Sequence, residues 1–469
     1  MRLICIILLL VFVIGAKCFV LNEEELDGIT VRHRRSLNDW KEKKDRVKED
    51  FKSIKKQWKE KKQLIKKTLN INFDSLQRIN CFISPTAFED NAFELNSTQF
   101  EKCTSLIYYV NITTTSELQQ LNPSLDAIAF DAMRESRNAT NHTQTLLLTT
   151  SEDFYSQKED YYQIWSEIVQ SNETRSRFIV NVIEYLENNG FNGFIVDWQS
   201  RDLTNSTKLA IDTQGITSLI QEMHPVFVDD DSVLGLSVSG NVNVFNIINY
   251  NSKELVKNVD FIDVMTHGYV SKNQTNAGHH TVMKTIYSDE DPNQSVMAGL
   301  SVWLKENPMP NKLNIVIAAF GVVQQLDIQS NQSRTSIPSQ TELSQVKYNE
   351  LCMKFNQTGN GTDYRSITQW QAPILIDNGK WISFDNTLSL KLKIKYAKLR
   401  KLGGVSLQFI DYDDYRGSCE TGSSPLLNVI IKEVAAVRKT DDSKNGAEAM
   451  STTSIMAIVG LMIIYRLID

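Results

Sequence analysis

The chain has 469 residues, 41% of them hydrophobic and 23% charged, with a net charge of -6. That is a globular composition, long enough for one large domain with additions. Residues 36–68 hold 13 Lys and Arg against 6 Asp and Glu, which leaves residues 69–469 at -14; so acidic a main body argues against a nucleic-acid partner.

The N-terminus reads as a secretory signal over residues 1–18. Arg2 supplies the positive charge, residues 3–16 are nearly all apolar, and Ala16-Lys17-Cys18 is a cleavage site of the expected kind. The apolar run is short for a membrane span of ~20 residues. Cleavage would remove Cys5 and Cys18 and leave Cys81, Cys103, Cys352 and Cys419, an even count that in a secreted chain points to two disulfides. Asn-x-Ser/Thr acceptors begin at Asn96, Asn111, Asn138, Asn141, Asn172, Asn205, Asn273, Asn293, Asn331, Asn356 and Asn360, a density that fits a glycan-coated extracellular surface.

Arg32-His33-Arg34-Arg35 resembles the basic site cut by furin-like convertases. Residues 19–35 would then leave as a pro-segment, and the mature chain would begin near Ser36. Residues 36–68 contain no Gly or Pro, and Val47, Phe51, Ile54, Trp58 and Ile65 fall on one helical face. A basic amphipathic helix follows from that spacing. It could pack on its own domain, make a short coiled-coil contact or lie on a membrane; the interspersed Glu and Asp favour the first two.

From about Arg78 the pattern changes to short β-rich runs separated by helical stretches. The runs are 79–83, 105–110, 145–149, 193–198, 233–238, 261–265, 314–319 and 404–410. Eight such runs with helices between most of them predict the α/β class and a (β/α)8 TIM barrel. In such a barrel, chemistry sits at the C-terminal ends of the strands. Gly190-Phe191-Asn192-Gly193-Phe194-Ile195-Val196-Asp197-Trp198-Gln199 ends one strand with a buried-type run followed by polar groups.

That stretch resembles the Asp-Gly-x-Asp-x-Asp-Trp-Glu signature of family-18 glycoside hydrolases, the chitinases. Gly193, Asp197 and Trp198 match it, whereas the first Asp is Asn192, the middle Asp is Ile195 and the terminal Glu is Gln199. Further blocks fall in the same order. They are Val259 to Thr266, Val302-Trp303-Leu304-Lys305 with Pro310, Lys312 and Leu313, Trp381 to Asp385 with Lys391, and Gly403-Gly404 through Tyr415. The resemblance covers residues 78–437 and implies a small α+β insertion over about 323–383, near the seventh strand. It also implies the disulfide pairs Cys81–Cys103 and Cys352–Cys419.

The family's Glu gives a proton to the leaving oxygen, while the substrate's own acetamido group attacks the anomeric carbon and the neighbouring Asp orients it. Gln199 has no proton to transfer near neutral pH, and general-acid help is worth ~10²–10⁴-fold in rate. His267-Gly268 stands where the family usually has Tyr-Asp, and Gln408 stands where it has a Trp floor under the central sugar. Asp197 keeps its identity, which a structural carboxylate at a strand end also explains. Asp260, Asp263, Asp411, Asp413 and Asp414 are the other carboxylates near strand ends. His279 and His280 read as loop residues. No metal-ligand spacing, nucleophile elbow or phosphate loop is present, so no metal or cofactor is expected.

The expectation is a secreted or cell-surface chitinase-like protein lacking the catalytic acid, resembling the growth-factor-like and lectin-like members of the family. Asp197, Gln199, His267 and Gln408 are its candidate ligand contacts, and a chitin-like glycan or a protein receptor its candidate partners. The alternative is a residual hydrolase of N-acetylglucosamine-containing glycans. Residues 438–469 close the chain with a polar spacer and an apolar run, Ile455 to Ile464, too short to span a bilayer well. Small residues at Asn445-Gly446-Ala447, a spacer and an apolar tail fit a lipid-anchor signal. A short membrane anchor and an amphipathic tail are the alternatives.

Overall fold

The computed structural model describes residues 76–89, 93–95, 98–113, 115–140, 144–150, 159–198, 206–243, 250–270, 276–285, 291–306, 309–326, 343–355, 362–365, 373–419 and 422–435. The signal, the convertase site, the basic helix and the C-terminal tail all lie outside these residues. So do Gln199 and the glycosylation acceptors Asn96, Asn141, Asn205, Asn273, Asn331, Asn356 and Asn360.

Eight parallel strands close on themselves: β1 (Arg78–Phe82), β2 (Ser105–Ile112), β4 (Gln144–Thr150), β5 (Gly193–Trp198), β6 (Val233–Ser239), β7 (Phe261–Met265), β8 (Leu313–Ala318) and β14 (Gly404–Gln408). β14 pairs with both β8 and β1, and β1 pairs with β2, which completes the ring. The helices between them are α1 (Pro123–Thr140), α2 (Glu159–Val169), α3 (Asn172–Asn189), α4 (Ser206–Asp230), α5 (Ser252–Lys257), α6 (Val296–Glu306) and α8 (Thr387–Leu399), with a final helix over 425–435. The fold is the (β/α)8 barrel.

Both faces of a barrel strand are buried, so its sequence is a nearly continuous apolar run rather than an alternating one. The pleat nonetheless sorts the side chains into two cores. Ile107, Tyr109, Leu146, Leu148, Ile195, Phe261, Met265, Val316 and Ala318 fill the barrel. Their neighbours Tyr108, Leu147, Phe194, Val196, Trp198, Ile262, Val264, Ile315 and Ile317 pack outward under the helices. Within β5, therefore, Ile195 and Asp197 share the inward parity and Trp198 does not.

Local signals account for the strand positions. A capping box between Ser171 and Thr174 starts α3, and Gly190 ends it in the left-handed region at φ 73°, where glycine carries no Cβ penalty. The chain then drops straight into β5. A Cβ on Gly193 would lie 2.2 Å from the Val233 carbonyl oxygen, so only glycine lets β5 and β6 approach at this point.

Between β8 and α8 the chain builds a second, antiparallel sheet in the order β10-β9-β13-β12-β11. Its strands are β9 (Phe320–Gln325), β10 (Ser344–Lys347), β11 (Thr362–Arg365), β12 (Ile374–Asp377) and β13 (Lys380–Ser383), and α7 (Tyr348–Leu351) lies beside it. The sheet opens directly after β8, a few residues before the resemblance placed it. A two-residue strand, β3 (Leu118–Gln119), pairs antiparallel with the end of β2 and is too short to leave a period in the sequence. Cys81 is bonded to Cys103, Cα atoms 5.9 Å apart, tying β1 to the start of β2. Cys352 is bonded to Cys419, Cα atoms 5.7 Å apart, tying the insertion to the loop beyond β14.

Candidate functional site

β5 separates the signature residues rather than gathering them. Asn192 lies at the N-terminal end of the barrel. Its Oδ1 accepts from Thr145 N at 3.1 Å, Thr145 Oγ1 at 3.1 Å and Arg137 Nη1 at 3.2 Å, while Arg137 also donates to Gly190 O at 2.6 Å. It fastens α1 and β4 to the entrance of β5 and takes no part in a site at the other end. Ile195, completely buried, sits among Leu146, Leu148 and Phe261 in the barrel core. A carboxylate at that point would need polar partners that these neighbours do not offer.

Asp197 is half-buried at the C-terminal end of β5, and its N–H donates to Thr149 Oγ1 at 3.1 Å. Two tyrosines lie close enough to sense its charge. Burial first and Asp197 second push the Tyr161 and Tyr250 hydroxyls far above their ordinary range. Tyr250 donates to the Trp198 carbonyl at 2.8 Å. Trp198 itself points out of the barrel and packs on Trp165 of α2, ring centroids 6.4 Å apart. Gln199, the next residue, lies outside the described part of the chain.

The other candidates meet across the mouth. His267 follows β7 and contacts Phe320 at 5.5 Å and His280 at 6.5 Å between ring centroids. His280 stacks on Phe320 at 5.7 Å. Gln408, the last residue of β14, lies against His267 and donates from Nε2 to Tyr109 Oη at 3.0 Å. Phe409 then packs on Tyr412 at 4.9 Å, Tyr109 at 5.9 Å and Phe320 at 6.3 Å. With Phe82 these rings fill the upper part of the lumen.

Beneath the histidines lies a buried ion pair. Lys393 Nζ of α8 is 2.6 Å from Asp385 Oδ2 and also contacts Thr281 Oγ1, and both charged side chains are almost wholly inaccessible. Asp385 accepts further from Thr281 Oγ1 at 2.8 Å and Ser389 Oγ at 2.6 Å. Burial first, and the Lys393 ammonium next, lower His267 to about 4, against the opposing pull of Asp385 and Gln408. His280 is held well below the ordinary histidine value by burial, then by His267 and Lys393. Both rings are therefore neutral at physiological pH.

The remaining carboxylates near strand ends are already engaged by backbone or side-chain donors. Asp260 accepts from Leu234 N at 2.9 Å. Asp263 lies inside the barrel and accepts from Ser406 Oγ at 2.6 Å and Asn314 Nδ2 at 2.9 Å. Asp411 takes Ser84 N at 2.9 Å and Ser84 Oγ at 2.5 Å. Asp413 takes Leu427 N at 2.9 Å at the head of the final helix, where burial raises it to about 7. Asp414 takes Ser418 N and Cys419 N, each at 2.8 Å. Its carboxylate is also near Cys352 and Cys419, but those sulfurs are joined to each other.

Sequence reasoning missed His280, Phe320, Phe409, Lys393 and Asp385. His280 does lie in a loop, but a completely buried one. The one available signal was the eight-residue spacing of Asp385 and Lys393, about two helical turns.

Residues 78–413 match the family described as glycosyl hydrolases family 18, and the chain belongs to that family. It is 22% identical to mouse chitotriosidase-1 over 353 residues, which is 73% of this chain and 74% of that protein. Among solved structures, the second catalytic domain of the Group II chitinase from Ostrinia furnacalis superposes with a TM-score of 0.68. It has 20% identity and covers 76% of this chain and 96% of its own. Human YKL-39, described as a pseudo-chitinase with retained chitooligosaccharide binding properties, superposes with a TM-score of 0.65. It also has 20% identity and covers 76% of this chain and 99% of its own. Hydrolases and a pseudo-chitinase thus both stand among the chain's structural neighbours.

Proposed function

We propose that this chain is a chitinase-like protein that does not hydrolyse glycans and works by binding, either to an N-acetylglucosamine-type glycan or to a protein partner in growth-factor-like signalling. The observation that carries the reading is Ile195. It occupies the inward position where the family signature has its middle Asp, and it is packed into an apolar core. Gln199 at the donor position removes the transferable proton. The described carboxylates that could have replaced it are tied to backbone groups or buried in the barrel.

Binding is supported by the likeness to human YKL-39, a pseudo-chitinase with retained chitooligosaccharide binding properties. The central stacking surface differs here, because Gln408 offers an amide where a ring would lie and Phe409 and Phe320 turn their faces to each other. An elongated chitin chain therefore has less aromatic surface to stack on, which favours a shorter glycan or a protein segment.

The test pairs turnover with binding. Purified protein is expected not to release sugars from chitin oligosaccharides, and Gln199→Glu is expected not to restore chitinase-level turnover while Ile195, His267 and Gln408 remain. Chitinase-level hydrolysis by the unmodified protein would sink the reading. A glycan array, run with and without residues 36–68, separates glycan binding from protein recognition.

A further inference from the structure

The end of the barrel opposite the mouth carries a surface that the proposed site does not use. α8 stops there, and its last turn and the following turn present Leu399, 72% exposed, beside exposed Arg400 and Lys401. The connection ahead of β8 lies against this turn. Gly403 N donates to Leu313 O at 2.8 Å, and the Asn311 carbonyl oxygen would lie 1.8 Å from a Cβ on Gly403. Met309, 37% exposed, belongs to the same connection. The final helix ends here too, since its Glu433 pairs with Lys398 in the last turn of α8, and its Lys432 is exposed.

A single exposed leucine is ordinary. What distinguishes this one is its company. Two exposed apolar side chains stand among Arg400, Lys401 and Lys432, and the chain leaves the barrel at this point. Its sequence continues through Arg438 and Lys439, a polar stretch to Ser454, and then Ile455 to Ile464. A polar segment the length of 436–454 has a root-mean-square reach of roughly 25 Å. An apolar tail that entered a bilayer would hold this face within about that distance of the lipid. Lys and Arg at such a surface are drawn to anionic headgroups, and exposed Leu and Met side chains bury at the headgroup boundary.

We propose that the Leu399-Arg400-Lys401 turn, with Met309 and Lys432, rests on a lipid surface bearing anionic headgroups. The barrel is thereby held with its mouth directed away from the membrane. The contact is one-sided. Asp229, Asp230 and Asp231, all exposed, lie at the same end of the barrel beside β6, three strands round from β14, so the barrel leans toward its β14 side and lifts them off the lipid.

Full-length protein floated with phosphatidylcholine vesicles, and with vesicles containing phosphatidylserine, tests the assignment. Wild type is expected to prefer the phosphatidylserine vesicles. Arg400→Glu with Lys401→Glu should weaken that binding by at least tenfold, since each basic side chain near an anionic surface contributes on the order of a fivefold effect. Leu399→Asp should weaken binding to both vesicle types. The tail is the same in every protein, so it cannot create the difference. Lys391→Glu with Lys395→Glu, exposed positions further up α8, makes the same charge change elsewhere and is expected to leave binding unchanged. Equal weakening by that control would overturn the proposal. So would anionic-vesicle binding that is indifferent to Arg400 and Lys401, or capture by a sulfated polysaccharide with no preference among vesicles.

Discussion

The two ends of the barrel interior use polar side chains in opposite ways. Toward the N-terminal end, Asp263 of β7 receives Asn314 of β8 and Ser406 of β14, and Asn80 of β1 lies within 3.4 Å. Arg78 donates to Asn314 Oδ1 at 3.0 Å and to Asn311 O at 2.6 Å. Four strands are thus pinned to one buried carboxylate whose oxygens are well supplied with donors. At the mouth, neither imidazole nitrogen of His280 makes a hydrogen bond of ordinary geometry among the described residues, and neither does Gln408 Oε1. Buried polar groups that are fully paired fix a register, whereas poorly paired ones add little to stability. The floor therefore holds the barrel closed, and the mouth is the part that could be altered without losing the fold.

The largest expected effect breaks the floor. Asp263→Ala leaves Asn314 and Ser406 without their acceptor and the nearby Arg78 guanidinium without its buried counter-charge. Breaking a buried charged network by removing one member costs about 3–5 kcal/mol. Denaturant unfolding of the barrel should register that loss, and a change below about 1 kcal/mol would mean that the network does not fix the strands. Next is the ion pair under the mouth. Lys393→Met leaves Asp385 buried but still hydrogen-bonded to Thr281 and Ser389. A loss of about 3 kcal/mol, the low end for a broken buried pair, is expected. Lys393→Met with Asp385→Leu should recover part of it, because no buried charge then remains.

A smaller effect sharpens the contrast. Gln408→Met removes one neutral hydrogen bond, to Tyr109, and the looser contact of the amide with His267. Its cost should stay near 1 kcal/mol. A loss comparable to that of Asp263→Ala would show that the mouth is as structural as the floor.

The barrel was legible in the sequence because its strands are buried on both faces and their apolar runs are bounded by helical stretches. The Asp197-Trp198 stretch fixed which strand ends at the site. Asn192 and Ile195, adjacent to it in sequence, could not be placed by that route. The same six-residue strand that carries Asp197 to the mouth leaves Asn192 at the floor and turns Ile195 into the core. The aromatic filling was hidden for a different reason. Phe320, Phe409, His267 and His280 come from separate segments and meet only because β7, β8 and β14 are neighbours in the ring, a fact of closure rather than of any local period. Lys393 is disguised among the exposed lysines of α8, since only its position on the helix face distinguishes it from Lys391 and Lys395.

The subtlest prediction concerns pH. His267 is neutral in the folded chain, at about 4 against an ordinary 6.5. The unfolded chain therefore takes up a proton below about 6.5 that the folded chain refuses until about 4, so stability falls as pH drops through that window and is flat above it. His280 acts in the same direction. Asp413 acts against them. Burial raises it to about 7, so the folded chain keeps a proton that the unfolded chain releases above an ordinary 3.8, and its contribution weakens as pH rises between those values. The net slope is a difference of opposing effects, and only a comparison isolates the histidines. Urea midpoints for the wild type and His267→Asn with His280→Asn, measured at pH 7.5, 6 and 5, should converge at acid pH, where the wild type alone loses the histidine contribution. Parallel curves would mean that both rings titrate in the folded chain as they do in the unfolded one. The mouth would then be a solvated site rather than the buried, aromatic one its packing describes.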